Sequence, residues 1–297
     1  MEPRRGRPSF WKGPPLRPRG RPALPAGLHY DARFLKPGER DAVLAYLATL
    51  HPLWEQRFST VRPPPPGETR RALLRPVYWL GNWQFACLDY YRPPHGLFDR
   101  CVEAEPFPPV LQALVTRIEA LVRGMFRFPD LPEGWHLNTC LINFYGRRLV
   151  DGRWVDTARV GEHKDFEPGP VASLSLGERA LFQFVESRRP GERDRVVLQQ
   201  WLDDGALQVF GGEKWKRKTF HRVQRVDRKD GVVFARPAID GFETRRINFT
   251  FRYVPDEHVV PYAKLSAQAQ ADVREYLEAL AKHSAFFRRA LAVSQKR

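Results

Sequence analysis

Arg246-Ile247-Asn248-Phe249-Thr250-Phe251-Arg252 is the stretch from which the rest of the chain can be read. Its alternation sends Arg246, Asn248, Thr250 and Arg252 to one face of an extended segment and Ile247, Phe249 and Phe251 to the other, the period of a strand. Two arginines and an amide then share one surface. If that surface faces solvent it is an ordinary basic edge. If it faces the interior of a β-structure, unpaired guanidinium groups are very costly there and an anionic partner is required. A dicarboxylate would satisfy them bidentately.

The same short-strand grammar extends upstream. Candidate runs begin near Leu141, Val171, Leu181, Val196, Leu207, Phe220, Val232 and Ile247, each β-branched or aromatic and bounded by Gly, Pro or charged turns. Such a succession predicts a jelly roll, so the expected fold class is α+β, mainly β, with a double-stranded β-helix core and flanking helices. Asp151-Gly152, between Arg148-Leu149-Val150 and Arg153-Trp154-Val155, reads as a tight hairpin turn. Helical spacing occurs outside this block. It is carried by Val43, Leu44, Tyr46, Leu47 and Leu50, then by Leu111, Leu114, Val115, Ile118, Leu121 and Val122, and finally by Val273, Leu277, Leu280 and Ala281 behind a Ser266 N-cap. Tyr78 to Phe85 is a strand and turn dense in aromatics, and Val61 to Gly67, with four consecutive prolines, is a polyproline connector.

Composition limits the class of protein. The 297 residues are 42% hydrophobic and 12% aromatic, enough for a packed core. No run approaches the roughly 18 to 20 apolar residues of a membrane span, and the N-terminus lacks the apolar stretch of a secretory signal, so a cytoplasmic location with no membrane partner is expected. Cys87, Cys101 and Cys140 are widely spaced without a CxxC pair, which reads as free thiols rather than a disulfide framework or zinc ribbon. A formal charge of +15 and a pI near 10.1 call for a polyanion, with nucleic acid first in line; Arg dispersed over solvated faces is the other reading. Residues 1 to 27 are Arg, Pro and Gly with few aliphatics, a disordered arm by composition. Within it, Arg5-Gly6-Arg7-Pro8 and Pro18-Arg19-Gly20-Arg21-Pro22 resemble the core of the AT-hook, whose Gly lets two Arg sink into a narrow minor groove. A generic polybasic arm accounts for them equally.

The chemistry-bearing residues are His163-Lys164-Asp165, two ligand-type side chains on the same side of an extended backbone, with His221 on a later strand as the best third member. Two imidazoles and one carboxylate on one octahedral face are the arrangement of non-heme Fe(II) oxygenases.

Together these residues resemble the AlkB-like 2-oxoglutarate/Fe(II) dioxygenases, which repair alkylated nucleic acid bases. The match runs from Cys140-Leu141-Ile142-Asn143-Phe144-Tyr145 through His163-x-Asp165-x-Glu167-Pro168 and Val171 to Gly177. It continues through Phe182-Gln183-Phe184, Gly211-Gly212-Glu213 and His221 to Arg246-x-Asn248-x-Thr250-x-Arg252. The resemblance implies His163, Asp165 and His221 as iron ligands and Arg246 as the partner of the distal carboxylate of 2-oxoglutarate. Asn143, Tyr145, Asn248 and Arg252 become further co-substrate contacts, and Glu167 faces the target base, with a partner role toward a neighbouring Arg or metal ligand as its other reading. It implies Fe(II), 2-oxoglutarate and O2 as the reagents and oxidative removal of an N-alkyl group, with aldehyde, succinate and CO2 released. A base in a duplex must be flipped out to be reached, and an aromatic would stack on it; Trp83 is the expected contact, with Trp79 and Phe85 as alternatives and packing in the core as the other reading of all three. DNA is favoured over RNA, and a monomer is expected. An oxygenase acting on a protein or small molecule, and a non-enzymatic nucleic-acid binder, are the competing functions. The expected division is a basic arm (1–27), N-terminal helices and substrate lid (28–137), an oxygenase core (138–256) and a C-terminal helical extension (257–297).

Overall fold

The computed structural model describes residues 24–57, 71–84, 101–186, 195–224 and 233–294. In chain order the elements are β1 (Leu28–Asp31), α1 (Pro37–Leu47), β2 (Gln56–Arg57), β3 (Arg71–Ala72), β4 (Val77–Leu80), β5 (Asn82–Trp83), β6 (Cys101–Glu103) and α2 (Pro109–Met125). There follow β7 (Thr139–Val150), β8 (Arg153–Asp156), β9 (Val160–His163), β10 (Val171–Gly177), β11 (Ala180–Val185), β12 (Val196–Leu202) and β13 (Leu207–Phe210). A π-helical turn (Glu213–Lys218) leads to β14 (Phe220–Gln224), β15 (Phe234–Ile239), β16 (Phe242–Arg252), β17 (Val259–Val260), α3 (Ala267–Ala281) and α4 (Ala285–Ser294). Seven of the expected strand runs coincide with β7, β10, β11, β12, β13, β14 and β16. The eighth was expected from Val232, which lies outside the described residues, and its strand begins at Phe234. The AT-hook-like segments, the polyproline stretch, Phe85 and Cys87 also lie outside them. Cys101 and Cys140 are buried.

Two sheets position the site. The larger runs β1-β13-β10-β16-β7-β4, and the smaller runs β12-β11-β14-β9. β16 lies inside the larger sheet, antiparallel to β10 on one side and β7 on the other. Its Ile247, Phe249 and Phe251 are fully buried against Leu111, Leu114 and Ile118 of α2 and Val273 and Leu277 of α3, so the helices cover that face. The other face meets the smaller sheet. There Phe182 and Phe184 of β11 pack on Phe210 of β13, with ring centroids 5.8 and 5.5 Å away. Arg246, Asn248 and Arg252 therefore point between two sheets, and each is only 4–5% exposed. The solvent-facing reading of the alternating arginines is thereby excluded.

Local chemistry explains the ends of these elements. Asp151 (φ 48°) and Gly152 (φ 73°) both occupy the left-handed region, as a two-residue hairpin turn between β7 and β8 requires. Gly146 answers a close approach instead: a Cβ there would lie 1.8 Å from the Glu243 carbonyl, where the β7–β16 register shifts. Ser266 caps α3 by accepting a hydrogen bond from the Ala269 amide. Among the described residues no helix is long and apolar enough to cross a membrane.

Candidate metal and co-substrate site

His163 ends β9 and His221 sits directly opposite it on β14, so ladder register alone brings the two imidazoles together at a ring-centroid distance of 4.2 Å. Asp165 joins them from the loop that follows β9. One ligand atom from each of His163, Asp165 and His221 lies within 4.8 Å of the others. The remaining atoms of these side chains are held. His163 Nδ1 is 2.8 Å from the Gly161 carbonyl, which can only accept, so Nδ1 carries the proton and Nε2 keeps its lone pair. Asp165 Oδ1 accepts from Arg252 Nε at 2.9 Å and Nη2 at 2.6 Å, while Oδ2 lies 3.4 Å from His221 Nε2. The His221 ring stacks on Phe182 (5.3 Å, 14°) and meets the Phe210 ring at 5.1 Å, so the aromatic packing between the sheets also orients a ligand.

Electrostatics keep the three groups in ligand form. Burial pushes His221 down to about 3, reinforced by the neighbouring His163 and opposed by Asp165. Burial likewise lowers His163, again opposed by Asp165. For Asp165 burial pushes upward, but Arg252, His221, His163 and Lys216 together hold its carboxyl below the usual range. Neutral imidazoles and an ionised carboxylate are the states that bind a divalent cation.

Next to this cluster, on the face shared by β7, β16 and β10, is a second polar group. Arg246 Nη2 donates to Ser175 Oγ at 3.0 Å, but its Nε and Nη1 are buried without a hydrogen-bond partner among the described residues. Burial lowers its pKa, and the nearby Tyr145 hydroxyl opposes that shift. The guanidinium lies over the Tyr145 ring, 4.9 Å from its centroid. Unsatisfied N–H groups on a buried cation fit a carboxylate. The two-imidazole, one-carboxylate donor set likewise fits Fe(II).

Comparison with known proteins settles the family. A family model described as the 2OG-Fe(II) oxygenase superfamily matches residues 27–252. The chain belongs to this superfamily. Within the superfamily, 122 residues are 29% identical to ALKBH1D of Arabidopsis thaliana, a DNA N(6)-methyladenine demethylase, covering 38% of this chain and 24% of that protein. A stretch of 160 residues is 32% identical to the alpha-ketoglutarate-dependent dioxygenase AlkB of Salmonella typhimurium, covering 52% of this chain and 60% of that one. The chain thus matches less than two thirds of the length of either relative. The solved structure of OsALKBH1 aligns at 20% identity with a TM-score of 0.44, over 78% of this chain and 100% of that one.

As an oxygenase-superfamily site, the cluster differs from the sequence expectation in several places. Trp83 is not at the mouth. It is 1% exposed and donates its indole N–H to Glu55 at 2.6 Å, as Trp79 does at 2.7 Å, so neither stacks on an extruded base in this structure. Amphipathic aromatics with a buried acceptor in reach prefer the core. Glu167 is buried too, accepting from Gln84 Nε2 at 3.0 Å with Oε2 3.5 Å from Arg252 Nε. Its carboxylate thus lies beside the Arg252 guanidinium and is 5% exposed. Asn248 donates both amide hydrogens, to Ser173 Oγ (2.8 Å) and the Leu174 carbonyl (3.0 Å), which leaves no N–H for a co-substrate. Arg252 is committed to Asp165 and Glu167. Tyr145 is the cross-strand partner of Arg246, and Asn143 faces Asn248.

Two contributors had no signal in the sequence. Lys216 occurs in the run Glu213-Lys-Trp-Lys-Arg-Lys218, which reads as a solvated basic face. The π-helical turn instead tucks Trp215 and Lys216 inward. Lys216 Nζ donates to the Glu167 and Gly169 carbonyls, clamping the loop that carries Asp165. Burial brings it down to about 8, against the pull of Glu167 and Asp165. The other is Arg75, just before β4, whose Nε donates to Asn143 Oδ1 at 2.7 Å.

Proposed function

We propose that this chain is an Fe(II)- and 2-oxoglutarate-dependent dioxygenase that removes N-alkyl groups from nucleic acid bases, DNA before RNA, acting as a cytoplasmic monomer. The observation that carries the oxygenase reading is the pairing of the His163, Asp165 and His221 cluster with a buried Arg246 that retains two unbonded N–H donors. His163 Nε2, Asp165 Oδ2 and His221 Nε2 would hold the iron, and Arg246, with Asn143 and Tyr145, would bind the distal carboxylate of the co-substrate. When bound, the iron with 2-oxoglutarate and O2 supplies oxidation of the N-alkyl carbon, which leaves as an aldehyde beside succinate and CO2.

The chain's own residues supply binding and orientation. Arg252 keeps Asp165 ionised and engages its Oδ1, and the Phe182 and Phe210 rings exclude water from the His221 side. In this reading the two facing sheets are a double-stranded β-helix, and residues 138–256 form the catalytic core. The segment 28–137 supplies the lid, 1–27 a basic arm and 257–297 a helical extension. Support for a nucleic acid substrate comes from the +15 charge and from the named activity of the Arabidopsis relative. The β7–β8 hairpin adds Trp154, 48% exposed, beside Arg153 at the edge of the molecule.

The test is anaerobic reconstitution with Fe(II) and 2-oxoglutarate, then oxygen and an oligonucleotide carrying N-methylated adenine or cytosine, scoring succinate and loss of the methyl group. Demethylation that disappears in His163→Ala and Arg246→Ala is the expected result. Succinate without demethylation would move the substrate to a protein or small molecule. No succinate under any condition would refute the oxygenase reading.

A further inference from the structure

Tyr145 has two guanidinium groups over its ring. Arg246 approaches its ring at 4.9 Å from β16, and Arg75 approaches at 5.1 Å from the segment leading into β4. Two like charges on one ring repel each other, and burial sharpens that repulsion because the surrounding dielectric is low. The ring quadrupole offsets part of this cost. A carboxylate bound beside the two cations would offset the rest.

Arg75 also determines what Asn143 offers. A guanidinium can only donate, so Asn143 must turn Oδ1 toward Arg75 Nε, and its Nδ2 donor is then aimed away from Arg75. Asn143 is 2% exposed and shares one face of β7 with Tyr145, the cross-strand neighbour of Arg246. Without Arg75 the amide could rotate and present its oxygen to a carboxylate, replacing an attraction with a repulsion.

We infer that Arg75 is a positioning residue of the co-substrate site, orienting the Asn143 amide and, with Arg246 across Tyr145, making the pocket selective for a dicarboxylic over a monocarboxylic 2-oxo acid. The inference rests on the oxygenase reading and deepens it. It also makes the segment before β4 part of the site, so residues 138–256 would not bind the co-substrate fully by themselves.

The experiment is calorimetric titration of the full chain, loaded with Mn(II) under anaerobic conditions, with 2-oxoglutarate and separately with 2-oxobutyrate, which lacks the distal carboxylate. Wild type is compared with Arg75→Met and Arg75→Lys, with thermal melting as a check on folding. Arg75→Met is expected to raise the Kd for 2-oxoglutarate about tenfold or more, the scale of a lost charge-assisted hydrogen bond, and to change the Kd for 2-oxobutyrate by less than about threefold. Arg75→Lys keeps the charge but loses the planar fork, so its Kd falls between the two. If Arg75→Met weakens both acids equally, or leaves 2-oxoglutarate within about twofold of wild type, the positioning role is wrong while the oxygenase reading stands. A wild-type protein that binds neither acid overturns both. Should Arg75→Met fail to fold, Arg75→Lys decides on the same selectivity ratio.

Discussion

Replacing Arg252 with Met tests whether Asp165 is held for a metal. In the structure two Arg252 donors, Nε and Nη2, converge on the single oxygen Oδ1, at 2.9 and 2.6 Å, and the two residues are 5% and 6% exposed. Met fills most of the volume without the charge. The carboxylate is then left in the interior with only its imidazole neighbours and Lys216 to oppose burial. Breaking a buried pair from one side costs about 3–5 kcal/mol. At about 2–4 °C per kcal/mol for a domain of this size, that is a melting-temperature fall of roughly 6–20 °C in the metal-free protein. A divalent cation bound by His163, Asp165 and His221 would itself supply the missing positive charge. The loss should therefore be clearly smaller with Mn(II) or Zn(II) present than in chelator. Differential scanning fluorimetry of both proteins in both conditions measures the difference. A fall of the same size with and without metal, or of less than about 2 °C in chelator, would refute the argument that Arg252 and the cation share Asp165.

Further outcomes follow from the same geometry. His221 sits near 3 against an ordinary 6.5, and His163 is also depressed, so below pH 6.5 the unfolded chain takes up protons that the folded one refuses. Stability of the metal-free protein should fall from about pH 7 to about pH 5, and His221→Gln should flatten the trend, read from urea midpoints. Gly146→Ala places a Cβ 1.8 Å from the Glu243 carbonyl and should cost more than about 4 kcal/mol, seen as loss of soluble protein. Trp83→Phe removes one indole donor from buried Glu55 and should cost about 1–3 kcal/mol in a denaturation assay, with oligonucleotide affinity unchanged.

How much of this was legible in the sequence depends on which kind of interaction was doing the placing. Strands whose side chains alternate between two environments carry a period, and seven of the expected runs returned as strands because each has one face in a core. The ligands were legible for a related reason. His163 and Asp165 are neighbours in sequence, and His221 lies in a strand that must pair somewhere; register then sets it opposite His163. The arginines of β16 were ambiguous, since a solvated face and a buried ligand-binding face produce the same alternation. Only the second sheet, closing over them, distinguishes the two.

The residues around the ligands follow a different logic. Glu167, Arg252, Lys216 and Gln84 form one chain of contacts around Asp165, drawn from four separate segments, and no spacing rule connects them. A carboxylate two residues from a metal ligand looks available for substrate until the cation that claims it is located. Trp83 shows the same effect in the opposite direction. An aromatic in a Trp-rich turn resembles a stacking platform, yet a single buried acceptor, Glu55, draws both Trp79 and Trp83 inward. A buried polar atom without a partner is expensive, so each one recruits whatever donor the fold brings near. Arg246 carries information by contrast with Arg252 and Lys216: their hydrogen bonds reach a carboxylate and two carbonyls, whereas Arg246 Nη2 donates to a serine hydroxyl and its Nε and Nη1 have no hydrogen-bond partner among the described residues.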